Sequence, residues 1–167
     1  MPSKPAPSRT TTSGDGFKVV ALNRKALHDY DILERIEAGL VLTGTEIKSI
    51  RAGRANLQDA YARPDEGELW LVGAHIAHYA QGGIYNHEPT RPRKLLMHRD
   101  QMARLAGAAA QKGLTIVPLR LYIKHHVAKV ELGLARGRRQ YEKRQVIARR
   151  DAEREMQRFV RGRPLDR

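Results

Sequence analysis

Seven histidines and no cysteine set the first limits on the chemistry of these side chains. Without a thiol there is no Cys-type zinc site, no disulfide scaffold and no cysteine nucleophile. His75 and His78 fall in an expected strand at i and i+3, on opposite faces, which argues against a shared metal. His125-His126 sits at an expected hairpin turn, where exposure or a phosphate contact suits it better than ligation. His28 precedes Asp29, and a His–Asp pair can serve as a general base. Adjacent residues rarely face each other, however, and no nucleophile completes the set. Neither common phosphate-cradling loop, G-x-x-x-x-G-K-[ST] or G-x-G-x-x-G, occurs. No catalytic constellation assembles, so the expectation is a binding protein with no cofactor and no metal.

Charge says more. The 167 residues carry 31 Lys+Arg against 18 Asp+Glu, a formal net charge of +13. Residues 136–167 hold 12 Lys/Arg and 5 Asp/Glu, so the last fifth of the chain carries more than half of the excess. Such a concentration makes a local positive field that attracts a polyanion, which RNA, DNA or an anionic membrane could each supply. No apolar run approaches the ~20 residues that span a bilayer. The opening MPSKPAPSRTTTSGDG has no apolar core and does not read as a secretory signal. A soluble, cytoplasmic, strongly basic protein with a polyanion partner and no membrane role is the expectation.

The elements that must position these groups follow from punctuation and period. Residues 1–16, with Pro2, Pro5 and Pro7, have the composition of a disordered segment. From Val19 the pattern is globular. Asp31–Ile36 and Gly39–Leu42 read as strands around a break at Glu37–Gly39. Thr43–Arg51 suits a short helix capped by Thr43 or Thr45. A hairpin of Asp59–Arg63 and Leu69–Tyr79 flanks Pro64–Gly67, and residues 82–93 are loop-like. Leu95–His98 reads as a strand, then a helix over Gln101–Lys112 capped by Asp100 and stopped by Gly113. Leu114–Ile123 and Val127–Ala135 form a second hairpin, in which Pro118 marks an edge or a bulge. Short hairpin-connected strands with small helices predict a mainly β fold, an OB-like antiparallel β-barrel with peripheral helices over residues 17–135. Pattern alone leaves an SH3-like barrel open.

Five blocks then stand in series. They are NRKALHDY (Asn23–Tyr30), EAGLVLTGTEIKSIRAGRANLQDAY (Glu37–Tyr61), NHEPTRPRKLLMH (Asn86–His98), KGLTIVPLRLYIK (Lys112–Lys124) and KVELGLARGRRQYEKR (Lys129–Arg144). In order and content they resemble the small protein B (SmpB) family, whose members bind tmRNA in bacterial trans-translation. The resemblance implies an OB-like barrel that binds the tRNA-like domain of tmRNA. It also implies a C-terminal tail over residues 136–167 that is disordered when free and helical when bound. It further implies delivery of alanyl-tmRNA, with elongation factor Tu, to a stalled ribosome, where the tail would occupy the empty decoding centre and mRNA channel. A monomer is expected.

Roles carry over only where the blocks align. Glu37 matches the acidic residue of the family's EAG turn, needed for tmRNA binding. Leu96 matches an apolar contact with RNA, although an ordinary place in the barrel core suits a leucine equally. Lys129 matches a basic residue of the RNA face, and Asn23, Arg24, Lys25 and His28 extend that face. In the tail, Gly137, Arg138, Arg139, Tyr141, Glu142, Lys143 and Arg144 resemble the family's G-K-K-x-[YH]-D-K-R segment. Arginines replace the two lysines and Glu142 replaces Asp. Farther on, Arg149, Arg150 and Arg154 continue the ribosome-binding tail. Ala148, Ala152, Met156 and Phe159/Val160 recur at helical spacing and predict a conditional helix with one apolar stripe.

Two other readings stay open on residues alone: a general RNA-binding or ribosome-associated structural protein, and a small hydrolase built on His and Asp.

Overall fold

The longest apolar, β-branched stretches build the frame. A computed structural model describes residues 16–138 and 140–161, with the side chains of residues 111–112 and 140–143 outside that description. Strands β8 (Thr115–Lys124) and β9 (Val127–Gly137) form a long antiparallel hairpin. Its two-residue turn is His125-His126, both with positive φ, as the twist of a tight hairpin demands. The register shifts between Pro118 and Arg120, so Pro118 marks a bulge. Gly133 is needed beside that bulge, because a Cβ there would stand 3.0 Å from Leu119 Cδ1.

Around the hairpin run β1 (Phe17–Leu22), α1 (Arg24–Asp29), β2 (Tyr30–Leu40), α2 (Gly44–Arg51) and β3 (Ala55–Asn56). Then come β4 (Tyr61–Asp65), β5 (Glu68–Val72), β6 (His75–Ile76), a 3₁₀ turn (Gly83–Tyr85), β7 (Arg93–Leu96) and α3 (Arg99–Lys112). A final helix, α4, spans Gln140–Arg161. The antiparallel pairings close on themselves in the order β8, β4, β5, β7, β2, β9 and back to β8, with β1 added along β8. A mainly β, antiparallel architecture with small helices is what the pattern predicts. The ring encloses Ile36, Leu69, Leu71, Leu95, Ile116, Leu121, Val130 and Leu132, and Ile50 of α2 and Leu105 of α3 join the same core.

Several local expectations need correction. No break occurs at Glu37–Gly39: β2 is continuous, because β9 pairs through Gly39 and β7 takes up the other edge. The first hairpin turns at Glu66-Gly67 with Pro64 inside β4, and its second strand ends at Val72. Gly73 has a φ of 81°, and a Cβ there would stand 3.3 Å from the Asp59 carbonyl oxygen, so the chain turns out of the strand on a residue without one. Helix α3 starts at Arg99 with His98 in the cap position, so Asp100 lies in the first turn instead of capping it. Strand β1 and helix α1 were not legible. Strand β9 also runs two residues past the expected boundary at 135, pairing Arg136 with Asp31 and Gly137 with Tyr30. Of the segment expected to be disordered, residues 1–15 lie outside the described residues, as do Arg139 and residues 162–167 of the tail.

One buried polar network holds the molecule's α2 end. Glu46 closes a capping box on Thr43, and its carboxylate, fully buried, takes bonds from Arg91 Nη2 at 2.6 Å and Arg93 Nε at 2.8 Å. Arg93 spends its remaining donors on the carbonyls of Ala74 and Pro89. A buried carboxylate is costly unless paired and hydrogen-bonded, and here every oxygen is satisfied. Burial alone would push the Glu46 carboxyl up; the bonds from Arg91, Thr43 N–H and Arg93 more than offset it, and the carboxyl sits below its ordinary range.

Candidate nucleic-acid interface

Period-two alternation along β8 sends Leu121 and Ile123 inward and Arg120, Tyr122 and Lys124 to the outer face. Lys129 of β9 pairs with Tyr122 on one side and with Gly39 of β2 on the other. Glu37, two residues before Gly39, therefore stands diagonal to Lys129 on the same face, within reach of a long side chain. Lys129 Nζ donates to Glu37 Oε1 at 2.7 Å, the Tyr122 hydroxyl donates to Oε2, and Lys124 Nζ lies 4.0 Å from Oε2. The bond from Lys129, then that from Tyr122, hold the Glu37 carboxyl below its ordinary range against the opposing effect of burial. Burial, then its bond to Glu37, holds the Tyr122 phenol above its ordinary range.

The tyrosine is fixed as well as polarised. Its ring packs on Phe17 at 4.8 Å between centroids, and the Arg120 guanidinium lies 5.3 Å from the Tyr122 ring and 5.6 Å from that of Phe17. Arg120 and Arg35 both reach Glu131, at 3.0 and 3.5 Å. A connected row of cations, aromatic rings and carboxylates results.

Beside Glu37 a groove of about 540 Å³ opens, lined by Gly39, Leu96, His98, Gln101 and Lys129. Leu96 is 49% exposed there while its neighbour Leu95 is fully buried. Core packing therefore claims Leu95, and Leu96 is a surface apolar group. Gly39 pairs directly with Leu96 across the β2–β7 ladder, and a Cβ at 39 would be in van der Waals contact with it at 3.4 Å. The groove thus offers an anchored acceptor, one or two ammonium donors and an apolar flank.

The N-terminal block lies elsewhere. Tyr30 pairs with Gly137, seven residues along β2 from Glu37, which is roughly 23 Å at ~3.3 Å per residue. Asn23 is buried: its Oδ1 caps α1 at Ala26 N–H, and its Nδ2 donates to the carbonyls of Leu57 and Pro118. It positions α1 and presents no free polar group. Lys25 is ion-paired with Asp59, and Arg24 is exposed. His28 Nδ1 is 2.9 Å from Asp29 Oδ1, so this adjacent pair does meet, contrary to expectation. A cavity of about 420 Å³ beside them is lined by Lys25, Asp29, Tyr30, Asp59 and Tyr61. Among the described residues, no group of three His, Cys, Asp or Glu is placed to hold a metal, and no helix is long and apolar enough to cross a membrane.

The tail begins at this second place. Gly137 belongs to β9. Arg138 is tied down: its N–H donates to the Asp29 carbonyl at 3.0 Å, Nη1 donates to the His28 carbonyl at 3.3 Å, and Nη2 is 3.9 Å from Asp31. Tyr141, Glu142 and Lys143 lie on α4, their side chains outside the description. Arg144, Arg149, Arg150 and Arg154 are exposed, and Arg149 pairs with Glu153 at 3.4 Å. Among the described residues nothing covers the apolar stripe: Met156, Phe159 and Val160 are each at least 70% exposed. Sequence reasoning passed over Tyr122, Lys124, Arg120 and Phe17, although the outward alternation of the three β8 residues was there to read.

Comparison with known proteins identifies the family. The family model described as SmpB protein matches residues 20–162. An SsrA-binding protein of Carboxydothermus hydrogenoformans is 58% identical over 146 residues, covering 87% of this chain and 98% of that relative. One of Shouchella clausii is 58% identical over 153 residues, covering 92% and 96%. A solved chain described as "tmRNA-SmpB: a journey to the center of the bacterial ribosome" superposes with a TM-score of 0.62 at 47% identity, over 75% of this chain and 92% of that one. With a family match over most of its length and relatives this similar, the chain belongs to the SmpB family.

Proposed function

We propose that the chain binds the SsrA RNA, tmRNA, through its tRNA-like domain, and directs alanyl-tmRNA to stalled ribosomes. The observation that carries this reading is the Glu37–Tyr122–Lys129 triad beside exposed Leu96. A carboxylate aimed by two donors can accept from base amino groups, an adjacent ammonium meets phosphate, and the leucine packs on a base or sugar. With nine aromatics in the chain, recognition of a folded RNA by shape and backbone fits better than a broad stacking platform.

The second half of the function belongs to the tail. Arg138 fixes its exit beside α1, away from the groove, and beyond it α4 projects arginines on one side and an apolar stripe on another. That arrangement suits entry into the decoding centre and mRNA channel while the barrel holds tmRNA. Delivery occurs with elongation factor Tu, the protein acts as a cytoplasmic monomer, and its contribution is binding with no catalytic step.

Sequencing the RNA that co-purifies with the protein tests the reading. A single alanine-chargeable tRNA-like RNA is the expected result. Bulk ribosomal RNA alone would overturn it in favour of a general ribosome-associated protein.

A further inference from the structure

The loop between β6 and β7 is pinned at its base and bare at its tip. Asn86 clamps Tyr79, its Oδ1 accepting from the Tyr79 N–H at 2.9 Å and its Nδ2 donating to the Tyr79 carbonyl at 2.7 Å. Buried His87 bridges the Thr45 hydroxyl at 2.8 Å and the Ile76 carbonyl at 2.9 Å. The Pro89 carbonyl accepts from Ile76 N–H at 2.9 Å, and Arg91 and Arg93 both grip Glu46. A loop held at so many points does not need its tip for its own packing. Yet the 3₁₀ turn at the tip sets Ile84 at 91% and Tyr85 at 84% exposure, the two highest among the large apolar side chains of the described residues. Single exposed apolar residues are ordinary; two adjacent ones on a rigid mount are a presented surface.

Helix α2 brings an ammonium to the mount. Helix α2 packs under the loop, with Thr45 Cγ2 3.0 Å from where a Gly82 Cβ would be. Lys48 Nζ lies 5.4 Å over the Tyr79 ring, and Arg51 and Arg54 follow on the helix and the segment leaving it. Against them stands Glu88, while Glu46 is buried and committed to its two arginines. An exposed aromatic ring among surplus positive charge fits an unpaired nucleobase and its flanking phosphates. A neutral apolar partner would have to desolvate the same cations without pairing them.

We propose that the Ile84–Tyr85 tip is a second RNA contact, at the opposite end of β7 from Leu96, in which Tyr85 stacks on an unpaired base and Lys48 and Arg51 take the adjoining phosphates. The inference rests on the RNA-binding reading above and extends it to a separate surface. The unpaired base belongs either to tmRNA or to ribosomal RNA, and the two probes below separate these sources.

The test uses the full chain as Tyr85→Ala, Tyr85→Trp and, for reference, Lys129→Met. Binding is measured to a transcribed tRNA-like domain and, separately, to purified small ribosomal subunits. Tyr85→Ala is expected to weaken binding to one probe by about 5- to 150-fold, the range of one lost base–aromatic stack. Tyr85→Trp should restore it, and ultraviolet cross-linking with that probe should leave an RNA adduct on the Tyr85 peptide. Wild-type binding of Tyr85→Ala to both probes, with Lys129→Met weakened on the tRNA-like domain, overturns the inference and leaves the functional reading standing. Unchanged binding by Lys129→Met and Tyr85→Ala alike overturns both. A Tyr85 cross-link to protein only, or a Tyr85-dependent dimer in sedimentation, overturns the inference in favour of a protein partner.

Discussion

Removing the Glu37 carboxylate separates two roles that a simple basic patch would merge. In the free protein Lys129 Nζ donates to Glu37 at 2.7 Å, and Lys124 stands at 4.0 Å. Glu37→Gln keeps the shape of the side chain and removes its charge. If the carboxylate accepts from a base, losing that charge-assisted bond weakens tmRNA binding by ~1.5–3 kcal/mol, about 10- to 150-fold. At the same time it releases Lys129 and Lys124 from their local counter-charge, so the groove becomes more positive. The log–log dependence of affinity on salt should then be unchanged or steeper, because no phosphate contact has been lost. Lys129→Met should act in the opposite sense, with the slope shallower by ~0.9, the value for one phosphate no longer neutralised. A filter-binding titration of the tRNA-like domain at several salt concentrations reads both quantities. A shallower slope for Glu37→Gln, or equal slope changes for the two variants, would refute the assignment of carboxylate to base and ammonium to phosphate.

Glu46→Gln should destabilise the fold by ~3–5 kcal/mol in urea or thermal melts, since it breaks a buried pair and leaves Arg93 uncompensated. Because the folded Glu46 carboxyl titrates below its unfolded counterpart, the unfolded chain takes up the proton first as pH falls. The stability it contributes is therefore complete above the unfolded pKa of ~4.5 and lost as pH drops through the lower folded value; Glu46→Gln should flatten that acid limb. Truncation after Arg138, which spares all of β9 and the Arg138 contacts, should keep tmRNA affinity in a gel shift and abolish ribosome rescue. A peptide of residues 145–163 should be largely coil by circular dichroism in buffer and helical with RNA. Arg150, Arg154 and Arg158 repel along α4, and its apolar stripe gains no packing alone.

The parts of the fold that were legible are those written in local chemistry. The β8–β9 hairpin declares itself by a long β-branched pattern, α2 by a threonine cap ahead of spaced isoleucines, and the Pro118 bulge by the missing donor. Gly39 misled because glycine reads as punctuation, whereas here it is paired on both sides, with Leu96 and with Lys129, within an unbroken strand. Helix α1 is only six residues long and depends on Asn23, whose side chain bonds to residues 34 and 95 positions away. No local window contains that information. For the same reason the sequence could not choose between core and surface for Leu96, or show that the Asn23–His28 block lies at the far end of β2 from Glu37. Pairing across strands decides both. The Arg91–Glu46–Arg93 network stayed hidden because its members are 45 and 47 residues apart.

A carboxylate at the centre of the groove proposed to bind RNA, on a chain of net charge +13, has a physical reason. Lysines on an open face bind any phosphate, and such contacts add affinity without selectivity. Glu37 changes this in two ways. It holds Lys129 in one orientation, so the ammonium is presented instead of swept through solvent, and it opposes any phosphate that approaches without bringing a donor to the carboxylate. Tyr122, buried and stacked on Phe17, stops the carboxylate from turning away. Discrimination at the groove then resides in the pair of charges, and a variant lacking both Glu37 and Lys129 should lose selectivity between the tRNA-like domain and unrelated RNA. Competition with bulk tRNA measures this directly: the excess of competitor needed to displace the tRNA-like domain should fall for Glu37→Gln, whose uncovered lysines still bind phosphate. An unchanged competitor ratio for that variant would mean that the carboxylate supports the groove without selecting what enters it.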